Sequence, residues 1–190
     1  MSLQDTVTKQ YISEPEVFAD AFNYLIYGGR QVIRPEQLTD LDATQFAIPY
    51  GEDENGKLES AQKYRDVLKT LAVKADSQRT YLVLGIENQT NVHYAMPVRN
   101  MLYDAMQYEK QVRQLAAAHR KKHDTATAEE YLSGMRREDK ITPVITLVIN
   151  FGSKRWDGPL SLYEMMSEQP AEVKPFVQDY RIFLIDTMAM

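Results

Sequence analysis

The chain has 190 residues, 44% hydrophobic and 26% charged, which is enough apolar material for one domain, spanning 1–190, with its own core. Twenty-two Lys and Arg face 27 Asp and Glu, and the net charge of −5 excludes a protein that coats nucleic acid by overall basicity, leaving only a local basic face open. Cysteine is absent, which removes disulfides, thiolate metal sites, iron–sulfur clusters and cysteine nucleophiles.

Zero cysteine suits a reducing compartment. No apolar run approaches the ~20 residues that span a bilayer. The N-terminus carries neither the basic nor the apolar region of a signal peptide. A cytoplasmic protein without membrane attachment is expected.

The first periodic segment is 14–27. Val17, Phe18, Ala21, Phe22, Leu25 and Ile26 recur at helical spacing, Ser13 is placed to cap, Pro15 suits the first turn, and Gly28-Gly29 ends the helix. Val32-Ile33 reads as a short strand. The acidic stretch up to Glu59 reads as solvated surface, with Asp53-Glu54-Asn55-Gly56 as an exposed turn.

Two apolar runs follow, 64–73 and 80–87, joined by a polar loop at 74–78 that reads as a hairpin turn. The second run is nearly all apolar and suits a central strand buried on both faces. Residues 97–123 form a long helical pattern with an apolar stripe of Val98, Met101, Leu102, Ala105, Met106, Val112 and Leu115. Its basic end holds Lys110, Arg113, Arg120, Lys121 and Lys122. Residues 124–140 are mixed in charge and poor in large apolar side chains, and read as a mobile insertion with a short helix near 129–135.

Residues 141–151 are β-branched and read as a strand. A loop holding Trp156, a short helix at 160–166, a turn at 170–175 and a last strand at 180–185 complete the order. An apolar run so close to Met190 is what a chain truncated at its C-terminus would show. The fold class expected is α/β with a mixed sheet: a hairpin plus a strand reached by a helical crossover.

The chemistry concentrates on the hairpin. Glu87 and Gln89 are two apart on one strand and share a face. A hairpin turning at 76–77 brings Asp66 opposite or nearly opposite Glu87, with Cβ atoms roughly 5 Å apart. Two carboxylates that close call for a cation between them, and Mg²⁺ or Mn²⁺ with oxygen ligands fits. Such an ion polarises a phosphoryl oxygen and activates water. Two unrelated surface acids at strand ends are the plainer alternative.

The blocks Arg65-Asp66-Val67-Leu68-Lys69, Gly85-Ile86-Glu87-Asn88-Gln89-Thr90, Tyr94-Ala95-Met96-Pro97-Val98-Arg99 and Pro143-Val144-Ile145-Thr146-Leu147-Val148, in that order, resemble the PD-(D/E)XK nuclease superfamily, and within it the recombination-promoting nuclease and transposase group. Trp156-Asp157-Gly158-Pro159 and Ser161-Leu162-Tyr163 add to the likeness, which runs from about 16 to 185. The resemblance implies a restriction-endonuclease-like αβββαβ core, a mixed central sheet flanked by helices, and metal-dependent cleavage of DNA in recombination. By it, Asp66 and Glu87 are metal ligands for Mg²⁺ or Mn²⁺, and Gln89 stands where many superfamily members carry lysine. An acid from the leading helix, Glu16 ahead of Asp20, completes the catalytic set, although a helix-dipole role suits Glu16 equally.

Arg99, early on the long helix, is a candidate phosphate contact, with a surface salt bridge as its alternative. Lys110, Arg113, Arg120, Lys121 and Lys122 are candidate contacts to the DNA backbone, or a solvated helix end. His119 and His123, at i and i+4, lack a third metal ligand and read as part of that solvated face. Trp156 reads as a half-buried loop anchor. DNA is the expected partner, and a homodimer stays open. The competing reading is a nucleic-acid-binding or protein-interaction module that kept this fold without turnover.

Overall fold

The computed structural model describes residues 3–41, 48–52, 58–61, 67–75 and 78–189. Two helices come first, α1 (Leu3–Ser13) and α2 (Pro15–Tyr27). The sequence pattern did not disclose α1. Ser13 is its last residue, and the Ser13 hydroxyl donates to Lys9 O at 2.7 Å instead of capping α2. Glu14 occupies the cap position without a side-chain bond. Gly28 at φ 61° closes α2, a left-handed conformation that costs glycine least.

Strands β1 (Leu38–Asp40), β4 (Val67–Ala75), β5 (Gln78–Gln89), β6 (Val144–Asn150) and β7 (Phe183–Asp186) form a sheet in the order β1-β4-β5-β6-β7. Strands β2 (Ile48–Glu52) and β3 (Leu58–Ala61) pair separately as an antiparallel ribbon. The turn expected at 53–56 lies outside the described residues. Strands β4 and β5 are antiparallel, from Val67↔Ile86 to Ala75↔Gln78, which is the register expected of a hairpin turning at 76–77. Strands β5, β6 and β7 run parallel. The crossover from β5 to β6 runs through α3 (Met96–Lys122) and the short α4 (Ala128–Ser133). The fold is therefore mixed α/β, with three parallel strands and flanking helices.

Alternation along β5 and β6 gives the sheet two unlike faces. Leu84, Ile86, Leu147 and Ile149 point to the side covered by α1 and α2, where they pack with Ile12, Phe18, Ala19 and Phe22. Phe18 and Phe22 are fully buried with ring centroids 5.1 Å apart, and each contributes about 1.5–3 kcal/mol by burial. The other face carries Val83, Glu87, Gln89, Thr146, Val148 and Asn150 and is covered by α3.

That polar face reverses the expected orientation of α3. Its buried side is Met96, Asn100, Tyr103, Asp104 and Gln107, while Val98 and Met101 of the apolar stripe are each 38% exposed. A helix places against a polar sheet face the side chains that can bond to it, because a buried polar group without a partner is costly. Thr146 Oγ1 donates to Asp104 Oδ1 at 2.6 Å, Tyr180 Oη donates to Asp104 Oδ2 at 2.5 Å, and Gln111 bonds the backbone of Thr142 in both directions.

Three further expectations change. Val32-Ile33 is not a strand: Ile33 is an irregular buried residue, held by the Asn23 side chain through Ile33 N (2.7 Å) and Ile33 O (2.8 Å). Residues 160–166 hold a 3₁₀ turn at Tyr163–Met165 rather than a helix. The insertion at 124–140 is tied down. His119 bonds Asp124 at 2.6 Å and Asp139 at 2.8 Å, and Gly134 packs on Ala116. Among the described residues no helix is long and apolar enough to cross a membrane.

Candidate functional site

Glu87 and Gln89 stand near the end of β5, on the α3 side of the sheet. Glu87 is fully buried and Gln89 is 8% exposed. Their neighbours across the parallel ladder are Val148 and Asn150. Gln89 Nε2 donates to Asn88 O at 2.8 Å. The β5–β6 ladder and α3 together enclose Glu87, so its carboxylate sits where a bare negative charge would be expensive.

The charge is met by Arg99, in the first turn of α3. Met96 starts that helix and Pro97 follows it in the first turn, where its fixed φ suits a helix and its missing N–H leaves no orphan donor. Arg99 Nη2 is 3.1 Å from Glu87 Oε2. Arg99 Nε donates to the hydroxyl of Tyr103 at 3.1 Å, with the guanidinium 5.6 Å from that ring. Tyr103 is one turn further along the same face and is 3% exposed, so its hydroxyl is engaged rather than wet. Both functional and plain readings of Arg99 meet here, since its salt bridge is with the candidate catalytic acid itself.

Two polar groups beside this pair escaped the sequence reading. Asn100 is fully buried, and its Nδ2 and Oδ1 have no hydrogen-bond partner among the described residues. His93, in the segment between β5 and α3, has a buried Nδ1 likewise without a partner. Burial, then the Arg99 charge, holds His93 below the ordinary histidine value, so its neutral form prevails at neutral pH. The legible signal was the spacing Asn100, Asp104, Gln107 and Gln111, a polar stripe at helical period opposite the apolar one.

Asp66, the proposed partner of Glu87, lies outside the described residues. The strand that follows it begins at Val67, opposite Ile86. Glu16 and Asp20 are exposed on α2, which packs on the opposite face of the sheet from Glu87, so the structure does not bring them to it. Lys110 lines a cleft of about 460 Å³ with Gln107, Gln114 and Lys140. Arg113 pairs with Glu109 at 2.7 Å, and Arg120, Lys121 and Lys122 are exposed in the last turn of α3.

His119 is not part of that solvated face. It is 8% exposed and bridges two carboxylates, while His123 is an exposed left-handed helix cap. The hydrogen bond to Asp124, outweighing burial and joined by Asp139, raises the His119 pKa. Trp156 is the loop anchor expected: its backbone N donates to Asp186 Oδ2 at 2.9 Å, its Nε1 donates to Gly158 O at 3.0 Å, and its ring packs by Met96, Val148 and Ile182.

Among the described residues no group of three His, Cys, Asp or Glu converges to hold a metal ion. Glu87 and Gln89 supply a carboxylate and a carboxamide, the hard oxygen donors that Mg²⁺ or Mn²⁺ takes. Arg99 already stands against the buried carboxylate and answers its charge. In donor chemistry alone Glu87 and Gln89 fit such an ion. No protein-family model matches the chain, and no curated protein and no solved structure is found similar to it.

Proposed function

We propose that the chain is a metal-dependent DNA endonuclease of the recombination type, on a restriction-endonuclease-like αβββαβ core of the PD-(D/E)XK kind. The observation that carries this reading is Glu87, a fully buried carboxylate near the end of a central strand, clasped by Arg99 on a polar face between sheet and helix. Burying a charge there lowers stability unless a cation answers it, and such expense concentrates at functional sites. The antiparallel register of β4 and β5 supports Asp66 as its partner.

In this reading Glu87 and Asp66 hold Mg²⁺ or Mn²⁺, with Gln89 beside them. When bound, the ion polarises a phosphoryl oxygen and makes water a better nucleophile. Gln89 orients water or phosphate by hydrogen bonds, and unlike a lysine it adds no charge. Arg99 supplies the positive charge that the glutamine lacks, close to where charge develops on the phosphoryl group. Its Nε–H bond to Tyr103 holds the guanidinium in place.

The test is plasmid cleavage with Mg²⁺ or Mn²⁺ by wild type, Asp66→Ala and Glu87→Ala. Wild-type cutting that both variants lose is expected; metal-dependent cutting that both retain overturns the site. A second reading has one observation in its favour. Arg99 neutralises Glu87 by itself, so the fold can stand without a metal, as an interaction module that binds nucleic acid or protein without turnover. Folded wild type that binds DNA and never cuts it would select that reading.

A further inference from the structure

Beyond Gln89, the chain leaves β5 at Thr90 and a second pocket opens at the carboxyl ends of the parallel strands. Its volume is about 270 Å³, and Thr90, Asn91, Ser153, Lys154, Arg155 and Asp157 are on its walls. Crevices outside the carboxyl ends of parallel strands are the usual ligand sites of open α/β sheets.

The wall bearing the two cations is rigidly founded. Asn150, 1% exposed, is the hub of the loop after β6. Its Nδ2 donates to Lys154 O at 2.9 Å and to Asp186 Oδ1 at 3.0 Å, and its Oδ1 accepts from Gly152 N at 3.0 Å. Asp186 in turn accepts from Trp156 N. Gly152 is pressed so closely to the end of β5 that a Cβ there would lie 2.6 Å from Thr90 O. The backbone beneath Lys154 and Arg155 is therefore locked on both sides, while both side chains remain exposed.

We infer that this pocket is a subsite for a backbone phosphate of nucleic acid, next to the phosphate at Glu87 rather than the same one. The inference rests on the nuclease reading. Thr90 lies three residue steps beyond Glu87, about 10 Å, which suits a phosphate one or two nucleotides along the same bound strand. Two cations with the Ser153 hydroxyl make the donor set that phosphates take, charge first and neutral donors second. Asp157 is the one carboxylate on the walls, and it accepts from the Tyr94 hydroxyl at 3.2 Å, so the phosphate belongs at the Lys154–Arg155 side.

The experiment is fluorescence anisotropy of a labelled DNA duplex with the full chain in EDTA, where no cutting occurs, across a salt series. Lys154→Ala/Arg155→Ala is compared with wild type and with Lys9→Ala/Arg30→Ala, which removes equal charge from the other side of the sheet. The pocket variant is expected to bind at least about tenfold more weakly, and its slope of log affinity against log salt to fall by about one. The control keeps the wild-type slope. An unchanged slope in the pocket variant, an equal fall in the control, or a wild type without salt-dependent affinity overturns the inference. So does saturation of amide signals at 90 and 153–155 by inorganic phosphate with no change in the DNA slope, which would make this a small-anion site. The two readings separate cleanly. A reduced slope with no cutting in Mg²⁺ keeps the subsite and removes the nuclease; cutting lost in Glu87→Ala with an unchanged slope in the pocket variant does the opposite.

Discussion

Removing Arg99 while keeping Glu87 strips a buried carboxylate of the cation 3.1 Å away. Methionine is the suitable replacement, because it keeps a long apolar stem against Tyr103. Breaking a buried ion pair from one side costs about 3–5 kcal/mol. The Arg99 side chain is 31% exposed, so water reaches part of the gap and the expected loss is about 2–3 kcal/mol. Glu87→Gln removes the charge instead, and Arg99 can turn to solvent, for a loss of about 1 kcal/mol or less. The double variant should therefore be more stable than Arg99→Met alone, with a coupling of about 2 kcal/mol.

Urea titration reads this as a midpoint lowered by about 1 M in Arg99→Met, for a slope near 2 kcal/mol/M, and partly restored on adding Glu87→Gln. Manganese at ten times its dissociation constant should recover about 1.4 kcal/mol in Arg99→Met and nothing in the double variant. If Arg99→Met and the double variant unfold within about 0.5 kcal/mol of each other, Glu87 is not a charge held in place by Arg99, and the electrostatic case for the site fails.

The His119 clasp on the insertion predicts a pH dependence. The His119 pKa is raised by Asp124 first, so the stability it adds is complete below the unfolded value of about 6.5 and is lost as pH rises through the higher folded value. Asp124, lowered chiefly by its bond to His119, and Asp139, lowered chiefly by Arg136 N, add stability present above about pH 4 and lost as pH falls through their folded values. Amide exchange at Tyr131 and Gly134, corrected for intrinsic rate, should be slowest in mildly acidic solution and accelerate toward alkaline pH; His119→Gln should flatten the profile. Asn23→Ala should cost about 2–4 kcal/mol in thermal unfolding, since it strips partners from the N–H and C=O of the buried Ile33; a loss below about 1 kcal/mol would mean the 28–34 loop re-forms its bonds elsewhere. Gly152→Ala should cost about 1–3 kcal/mol because Thr90 O blocks the new methyl, and it should weaken DNA binding at the Lys154–Arg155 wall; wild-type stability would refute the close approach.

Local signals were enough for the parts whose partners lie nearby in sequence. The β4–β5 register followed from two apolar runs and a short polar loop, because hairpin length sets pairing. The parallel β6 followed from a β-branched run after a helix too long to be a hairpin connection. The shared face of Glu87 and Gln89 followed from the strand period alone. What periodicity could not decide is which surface each element meets. The apolar stripe of α3 pointed outward because the sheet face beneath it carries Glu87, Gln89, Thr146 and Asn150, and only the helix's polar side could bond there. Arg99 found Glu87, and His119 found Asp139, across distances in sequence that no spacing rule spans. Glu16 and Asp20 ended on the other face for the same reason: Phe18 and Phe22 follow the apolar side of the sheet and take α2 with them. The chain by itself determined the period of α2, α3 and the strands β4, β5 and β6. Tertiary structure decided which side of that period is inside, since burial depends on the polarity of the partner surface as much as on the residue buried.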